Sequence, residues 1–376
     1  MTSISADGLY SAFRKSAYFP SLNGVRALCA LVVIKEHTSW HFPEPRMVEW
    51  GFLGVDMFFV ISGFLIVTLL LRERDSRGAI DLRQFYLRRT RRIFPIYYLF
   101  IGILFILAVA TYSHSTRTWD LYKWSFPVFL LYLQDVIPIR LGVLFHTWSL
   151  AMEEQFYLIW PAVEKFCRRA LVIPLLLFLI FLNQLFNFGY FSDLIIWIYG
   201  DPQAVNRPIF LGTFTPILMG VLAAHAMHDP KVGAWLSKIL GSRWMPALLL
   251  VSAGLVCQFA PQLQGAPRLI VHCLFCALLV ALVVNPAGAF SRTLQSRPMF
   301  YLGKISYGIY LYHTLVVWLV GHLAGVWHLS PTPLVRFAVV LPLSILVAGL
   351  SYRYIESPIM GLRHRRSMTL ADAKAS

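Results

Sequence analysis

The chain has 376 residues, of which 58% are hydrophobic and 14% are charged. Soluble domains carry about a quarter charged residues, so this composition excludes an ordinary soluble domain and requires lipid to cover much of the surface. A net charge of +15 is compatible with nucleic-acid binding, but the basic residues cluster in short loops between apolar runs. That distribution is typical of membrane proteins, and we predict membrane lipids as partners and no nucleic acid.

Apolar runs of spanning length recur along the whole chain. A transmembrane helix needs roughly 20 mainly apolar residues. The stretch 125–138 is shorter and is bracketed by prolines, so we interpret it as an interfacial or re-entrant segment. The pattern predicts an all-α fold, a polytopic membrane helical bundle of about ten transmembrane helices. The predicted spans are 21–40, 52–71, 93–111, 149–164, 170–188, 208–226, 245–260, 268–287, 305–322 and 334–355.

The distribution of positive charge predicts how these helices are oriented. Most of the 33 lysine and arginine residues fall on one side of the predicted layout, and the positive-inside rule assigns that side to the cytoplasm. We therefore expect both termini to be cytoplasmic, with a segment 1–20, a single transmembrane domain 21–358 and a basic tail 359–376. The first apolar run lacks a small-x-small cleavage site, so we expect a retained helix rather than a cleaved signal peptide.

The cysteines do not indicate a metal or redox site. Five are present, and Cys273 and Cys276 form a CxxC motif inside a predicted spanning helix. This spacing only places two thiols on one helix face, and a zinc site would need further ligands. We predict packing roles for the cysteines and no bound metal.

Ionisable residues in the first two predicted helices are candidates for function, because charged groups are costly inside a membrane. Arg26 and His37 in the first helix share a face and lie roughly 16 Å apart along its axis. Asp56 in the second helix is expected at about the depth of His37. A carboxylate beside an imidazole orients the ring and raises its basicity, as in general bases, and a buried structural pair is the alternative. Glycines that would allow close helix approach are Gly51, Gly54 and Gly63.

The loop 72–92 is the most basic part of the sequence and is expected on the cytoplasmic side. Its Arg89 and Arg92 are spaced i,i+3, so on a helix they would point together and hold a phosphate group. Basic residues at a cytoplasmic helix end also serve as topology signals and lipid anchors, which is the alternative interpretation.

Polar residues also occur in the fourth and ninth predicted helices. Glu153, Glu154 and Gln155 are consecutive in the fourth helix, which exceeds what packing requires. His313 lies in the ninth helix among tyrosines that are typical of interfacial belts. The sequence contains no Walker loop, GxSxG elbow, HExxH or GxGxxG motif in a credible context, so the usual signatures of soluble enzymes are absent.

Short motifs containing these residues follow one another in a recognisable order. Through them the sequence, from Leu22 to about Pro358, resembles the bacterial acyltransferase 3 family of integral-membrane O-acyltransferases. One departure is Asn23, where the family often has aspartate. Many relatives carry a fused extracytoplasmic hydrolase-like domain, and we expect none in this chain. The motifs are Leu22–Leu28 with His37, Gly54–Asp56 through Ser62–Phe64, Arg88–Ile93 with Pro95, Trp148–Leu150 with Glu153–Tyr157, and Leu302–His313.

The resemblance implies an acyl-CoA-dependent O-acyltransferase, a multi-pass protein of the bacterial inner (cytoplasmic) membrane. Acetyl-CoA is the expected donor, and a hydroxyl of a glycan, glycolipid or similar molecule is the expected acceptor. His37 matches the family's essential histidine and Arg26 its paired arginine, and Asp56 is expected to orient His37. Arg89 and Arg92 match the family's RxxR motif and are expected to hold the phosphates of acyl-CoA.

Several functional questions stay open from the sequence. Glu153, Gln155 and His313 are the candidates for acceptor contacts, and His37 acts either as a general base or as a carrier of the acyl group. A secondary transporter or flippase is the alternative function, although no pair of broken helices and no internal repeat supports it. A membrane scaffold without chemistry is a third. The sequence does not determine the acceptor, the acyl group, the side of the membrane on which the acceptor is acylated, or the oligomeric state.

Overall fold

The computed structural model describes residues 6–16, 18–38, 50–112, 116–137, 141–206 and 213–361. Across these residues the chain is helical and has no β-strand, which confirms the all-α prediction. Six helices are long and apolar enough to cross a membrane, or up to eight if two sharply bent helix pairs each count as one span. Helix length and composition therefore identify a multi-pass membrane protein. The total of about ten spans and the cytoplasmic termini stay predictions.

The helices are numbered in chain order. They are α1 (Ala6–Lys15), α2 (Pro20–Thr38), α3 (Leu53–Arg77), α4 (Leu82–Tyr112), α5 (Thr116–Leu130), α6 (Trp148–Phe166), α7 (Arg169–Asn187), α8 (Ser192–Tyr199), α9 (Thr215–His228), α10 (Pro230–Leu240), α11 (Met245–Phe259), α12 (Ala266–Val284), α13 (Ala289–Leu294), α14 (Arg297–Lys304), α15 (Ser306–Val326) and α16 (Pro333–Ser351). Short 3₁₀ turns cover Gly142–Thr147 and Pro202–Asn206, and a π-helical turn covers Tyr352–Glu356.

The chain forms two compact units, each made of two separate stretches of sequence. The first unit contains Met1–Ile80 and Trp148–Lys304, and the second contains Asp81–Thr147 and Ile305–Ser376. Helices α1–α3 and α6–α14 therefore belong to the first unit, and α4, α5, α15 and α16 belong to the second.

Helix α3 forms the core of the first unit. Its most apolar stretch is 78% buried, whereas that of α7 is 17% buried. Helix α3 packs against α2, α6, α9 and α12. A β-carbon added at Gly63 would lie 2.1 Å from the carbonyl oxygen of Ile217 on α9, so only glycine permits this approach. The close packing predicted for Gly63 is confirmed.

The basic stretch 72–92 differs from the predicted loop. Helix α3 continues to Arg77 and α4 begins at Leu82, so most of the stretch is helical and only a short turn connects the two helices. The extension arises because arginine and glutamine are good helix formers, which a search for apolar runs does not count. Arg89 and Arg92 consequently lie on one continuous helix, which is the condition under which they point together.

The stretch 125–138 is helical only in its first part. Helix α5 ends at Leu130, and the phenol of Tyr97 on α4 donates a hydrogen bond of 2.8 Å to the carbonyl of Phe129. The ring of Tyr132 then stacks on Tyr97 with ring centroids 4.2 Å apart. The second bracketing proline, Pro138, lies outside the described residues. The interfacial or re-entrant interpretation stays a prediction.

Candidate active site

His37 lies in the last turn of α2, where the backbone orients its ring. The Nδ1 atom of the half-buried imidazole is 2.8 Å from the carbonyl oxygen of Val33, one helical turn earlier. A carbonyl oxygen only accepts hydrogen bonds, so Nδ1 carries the hydrogen. In the neutral ring, Nε2 therefore holds the lone pair and is the basic atom.

Asp56 lies in the first turn of α3 and pairs with residues other than His37. Its carboxylate accepts hydrogen bonds from the Nη2 atom of Arg268, at 3.2 and 3.3 Å, and from Nε2 of His272, at 2.9 Å. Among the described residues, Arg268 and His272 are the partners of this carboxylate. The predicted His37–Asp56 pair is therefore wrong, and the carbonyl of Val33 orients the histidine in its place.

Arg268 and His272 are the partners of Asp56 that the sequence interpretation missed. Both lie on α12 one turn apart, and Asp56, Arg268 and His272 are all at most 4% exposed. We call these three residues the Asp56 cluster. The sequence does carry a signal for them, because an arginine and a histidine stand at i,i+4 in a predicted spanning helix. Burying these two side chains in a membrane costs free energy unless a carboxylate pairs with them.

The first turn of α3 also contacts the part of α2 that carries His37. A β-carbon added at Gly54 would lie 2.8 Å from the carbonyl oxygen of Cys29 and 3.1 Å from Cγ2 of Val33. One added at Gly51 would lie 2.5 Å from Cβ of Glu36. The two helices approach closely here because Gly54 in the first turn of α3 and Gly51 just before it have no side chain, as the sequence predicts.

Glu153 on α6 is held by two hydroxyl groups of the first unit. Ser62 on α3 and Tyr157, one turn further along α6, both donate hydrogen bonds to its Oε1 atom. Its neighbour Gln155 is half-buried on the same helix. The carboxylate is therefore fixed in place with its negative charge supported by two donors, as a group that binds hydroxyls requires.

A second buried acid of the first unit is Glu164 on α6, which, like Asp56, has a histidine and an arginine beside it. Its Oε1 atom lies 2.8 Å from Nε2 of His225 and accepts a hydrogen bond of 3.1 Å from Trp160. Its Oε2 atom is 3.8 Å from an Nη1 atom of Arg74. We call Glu164, Trp160, His225 and Arg74 the Glu164 cluster. The sequence interpretation did not find it.

The second unit contains the other predicted residues, Arg89, Arg92 and His313. Arg89 is half-buried and Arg92 is exposed on α4. His313 on α15 is fully buried, and its Nδ1 donates to the carbonyl of Tyr310 at 2.6 Å. The ring of His313 lies edge-on to that of His146, with centroids 5.0 Å apart. His146 is a further buried histidine, which is not among the predicted site residues.

The structure therefore distributes the predicted residues between the units. The first unit contains Arg26, His37, Asp56, Glu153 and Gln155, and the second contains Arg89, Arg92 and His313. Arg26 and His37 lie on the same helix, α2, as predicted.

These features define a polytopic membrane protein with ionisable side chains buried among its spans. Comparison with known proteins gives its family. Residues 19–353 match the family model described as an acyltransferase domain, and the chain belongs to this acyltransferase 3 family. The resemblance predicted from the motifs is confirmed.

Individual relatives carry related names. Peptidoglycan O-acetyltransferase OatA of Listeria monocytogenes (strain EGD-e) is 28% identical over 361 residues, covering 91% of this chain and 56% of that protein. Putative peptidoglycan O-acetyltransferase YrhL of Bacillus subtilis (strain 168) is 29% identical over 397 residues, covering 93% and 56%. A putative O-acetyltransferase of Staphylococcus aureus (strain COL) is 28% identical over 377 residues, covering 93% and 58%. The chain thus spans a little over half the length of these curated relatives. No solved structure matches it.

Proposed function

We propose that the protein is a membrane O-acyltransferase that moves an acetyl group from cytoplasmic acetyl-CoA to a hydroxyl of a glycan or glycolipid. The family supports the reaction class. The observation that carries the proposal is the hydrogen bond from His37 to Val33, because it leaves Nε2 as a base on a membrane helix. The bacterial inner membrane is the proposed location, since acetyl-CoA is cytoplasmic.

His37 acts on the acceptor hydroxyl in this proposal. Its Nε2 atom removes the hydroxyl proton while the oxygen attacks the thioester carbonyl, and the carbon–sulfur bond breaks. The imidazolium then returns the proton to the leaving CoA thiolate, so the ring ends neutral. In the alternative route, Nε2 attacks the thioester first and carries the acetyl group to the acceptor. Rapid-mixing kinetics distinguish the two, because only the carrier route gives a burst of CoA without acceptor.

Arginine residues bind the donor. Acyl-CoA carries several phosphate charges, and guanidinium groups hold phosphates through paired hydrogen bonds. We assign Arg89 and Arg92 to these phosphates, because they lie one turn apart on continuous α4. Arg26 is assigned to the donor as the arginine that shares α2 with His37.

Three polar side chains are the candidates for contacts with the acceptor. Glu153 is the leading candidate, because Ser62 and Tyr157 fix its carboxylate and leave Oε2 as an acceptor for a sugar hydroxyl. Gln155 and His313 are assigned to the same task. Two of the relatives are named for peptidoglycan, so peptidoglycan-type glycans are the first acceptors to test.

The test is thiol release from acetyl-CoA by the purified full chain in detergent, with and without a glycan acceptor. We expect acceptor-stimulated release by the wild type and a loss of about 10²- to 10⁴-fold in His37→Ala, the range that a general base contributes. Near-native release by a folded His37→Ala variant would remove His37 from the chemistry. No release from any short acyl-CoA by folded wild type would favour a transporter instead.

A further inference from the structure

The first turn of α3 is held from two sides within the first unit. On one side, α12 contacts it through the Asp56 cluster and through Arg268, whose guanidinium lies over the ring of Phe52 at 5.4 Å. On the other side, Gly51 and Gly54 lie against α2. The turn is therefore in contact with both α12 and α2.

The contact with α12 is strong because of its chemistry. Asp56 is 1% exposed, so its charge is stable there only with paired donors. Arg268 supplies the counter-charge. Since a carboxylate only accepts, Nε2 of His272 carries the hydrogen of the second contact. Two directional donors thus fix the carboxylate in both position and rotation.

A neighbouring contact fixes the same turn a second time. The indole Nε1 of Trp50 donates to the carbonyl of Cys257 on α11 at 3.1 Å, and its ring meets that of Phe52 edge-on. Phe52 is thereby packed between Trp50 and Arg268. Residues 50–56 are thus anchored to α11 through Trp50 and to α12 through Asp56.

On its opposite side, the turn contacts the residue that orients His37. Gly54 lies against Val33, and the carbonyl of Val33 holds Nδ1 of His37. A shift of α3 toward or away from α2 therefore moves the residue that sets the direction of the imidazole. Displacement of a reacting group by about 1 Å can cost about 10²-fold in rate.

We infer that Arg268 and His272 are positioning residues for His37, acting through Asp56 and the glycine contact of α3 with α2. This inference rests on the proposed function, in which His37 is the base. The two residues touch neither substrate nor the reacting atoms in this role. They set kcat through the orientation of the imidazole, and they leave donor binding unchanged.

Paired variants test the inference on the full chain in detergent. His272→Gln keeps an amide donor where Nε2 lies, whereas His272→Leu removes it. We expect His272→Leu to lower kcat by about 10- to 100-fold per folded molecule with the KM for acetyl-CoA unchanged, and His272→Gln to recover most of the loss. Arg268→Met and Arg268→Lys form a second pair with the same expected order.

The matched control is His225→Leu. It removes a histidine–carboxylate hydrogen bond of similar length, 2.8 Å, in the Glu164 cluster of the same unit. A purely structural role predicts equal effects of His225→Leu and His272→Leu on folded yield and on kcat. Positioning predicts that only His272→Leu lowers kcat per folded molecule.

A double-mutant cycle tests whether His272 acts on His37 through the contact between α3 and α2. Gly54→Ala adds a β-carbon 2.8 Å from the carbonyl oxygen of Cys29 on α2, so it disturbs the same chain of contacts from the other side. Combined with His272→Leu, it should lower kcat by less than the product of the single effects, because both act through one element.

The inference is overturned if His272→Leu and His225→Leu have equal kcat values, if His272→Gln is as impaired as His272→Leu, or if the double variant is multiplicative. The assays of wild type and His37→Ala separate this failure from failure of the proposed function. If wild type is active, His37→Ala is inactive and the Arg268 and His272 variants keep the wild-type kcat, the positioning role is wrong and the proposed function still holds.

Discussion

The two ends of α3 contain buried ionic clusters of similar composition in different surroundings. At the first turn, Asp56 pairs with an arginine and a histidine of α12. At the last turns, about 27 Å away along the helix at 1.5 Å per residue, Arg74 lies beside Glu164, which binds His225. Each cluster joins one carboxylate, one arginine and one histidine across separate helices.

The neighbours of the clusters differ. The Asp56 cluster adjoins Gly51 and Gly54, which bring α3 against the His37 end of α2. Next to Arg74, Asp75 instead pairs with His228 and Arg14, so that end of α3 is tied to α1. The composition of a buried cluster therefore does not identify its role, whereas the elements packed beside it do. Both clusters stabilise the first unit, and we expect only the Asp56 cluster to affect catalysis.

The largest expected contrast is between Asp56→Asn and Glu164→Gln. Asp56→Asn removes the carboxylate that pairs with buried Arg268, and breaking a buried ion pair costs about 3–5 kcal/mol. Glu164→Gln costs less, because the Arg74 side chain that faces Glu164 is 15% exposed. We expect Asp56→Asn to lower both thermal stability and kcat, and Glu164→Gln to lower stability alone. Equal kcat values per folded molecule would remove the distinction between the two ends of α3.

Charge reversal on α4 extends the comparison to the second unit. Arg89→Glu with Arg92→Glu should raise the KM for acetyl-CoA at least roughly tenfold, since even one charge-assisted hydrogen bond contributes about 1.5–3 kcal/mol. The wild-type donor affinity should also fall as salt rises. Arg83→Glu, at an exposed position of the same helix, is the control for a general loss of positive charge. A similar KM in the control would leave Arg89 and Arg92 as topology signals.

Substitution of Glu153 tests acceptor binding at α6. Glu153→Gln still accepts the hydroxyls of Ser62 and Tyr157 but loses its charge. We expect the KM for the glycan acceptor to rise about tenfold, the worth of one charge-assisted hydrogen bond, while the KM for acetyl-CoA is unchanged. Glu154→Gln is the adjacent control. Unchanged acceptor kinetics in Glu153→Gln would limit this glutamate to packing.

The smallest effect is expected from pH at the α1 end of α3. Burial lowers the pKa of His228; Asp75 opposes this shift and Arg14 adds to it. Arg14 donates to Nδ1 of His228 at 3.0 Å, and protonation removes that acceptor. Because the pKa is lowered in the folded state, the stabilisation is complete above the ordinary histidine value of about 6.5 and is lost as pH falls below it. Thermal unfolding of wild type and His228→Gln should differ less at pH 5 than at pH 7.5, and a constant difference would contradict this.

The sequence predicted the helices well because apolar runs are strong signals, and it predicted pairings poorly. The helix α7 matches the predicted span 170–188 closely. The partner of Asp56 was missed because Arg268 and His272 are more than 200 positions away in the chain. A plausible local partner, His37, was chosen in their place. Every residue has a backbone carbonyl, so the sequence does not indicate that the carbonyl of Val33 accepts a hydrogen bond from His37. This orienting group could be identified only from the structure.

Single-turnover acetyl transfer tests whether His37 is the catalytic base. Wild type, His37→Ala and His225→Leu would be mixed with labelled acetyl-CoA and a glycan acceptor, and label on the acceptor would be followed through one turnover. The account predicts rapid labelling by wild type and His225→Leu and a rate at least about 10²-fold lower for His37→Ala. Labelling by folded His37→Ala at the wild-type rate would contradict it.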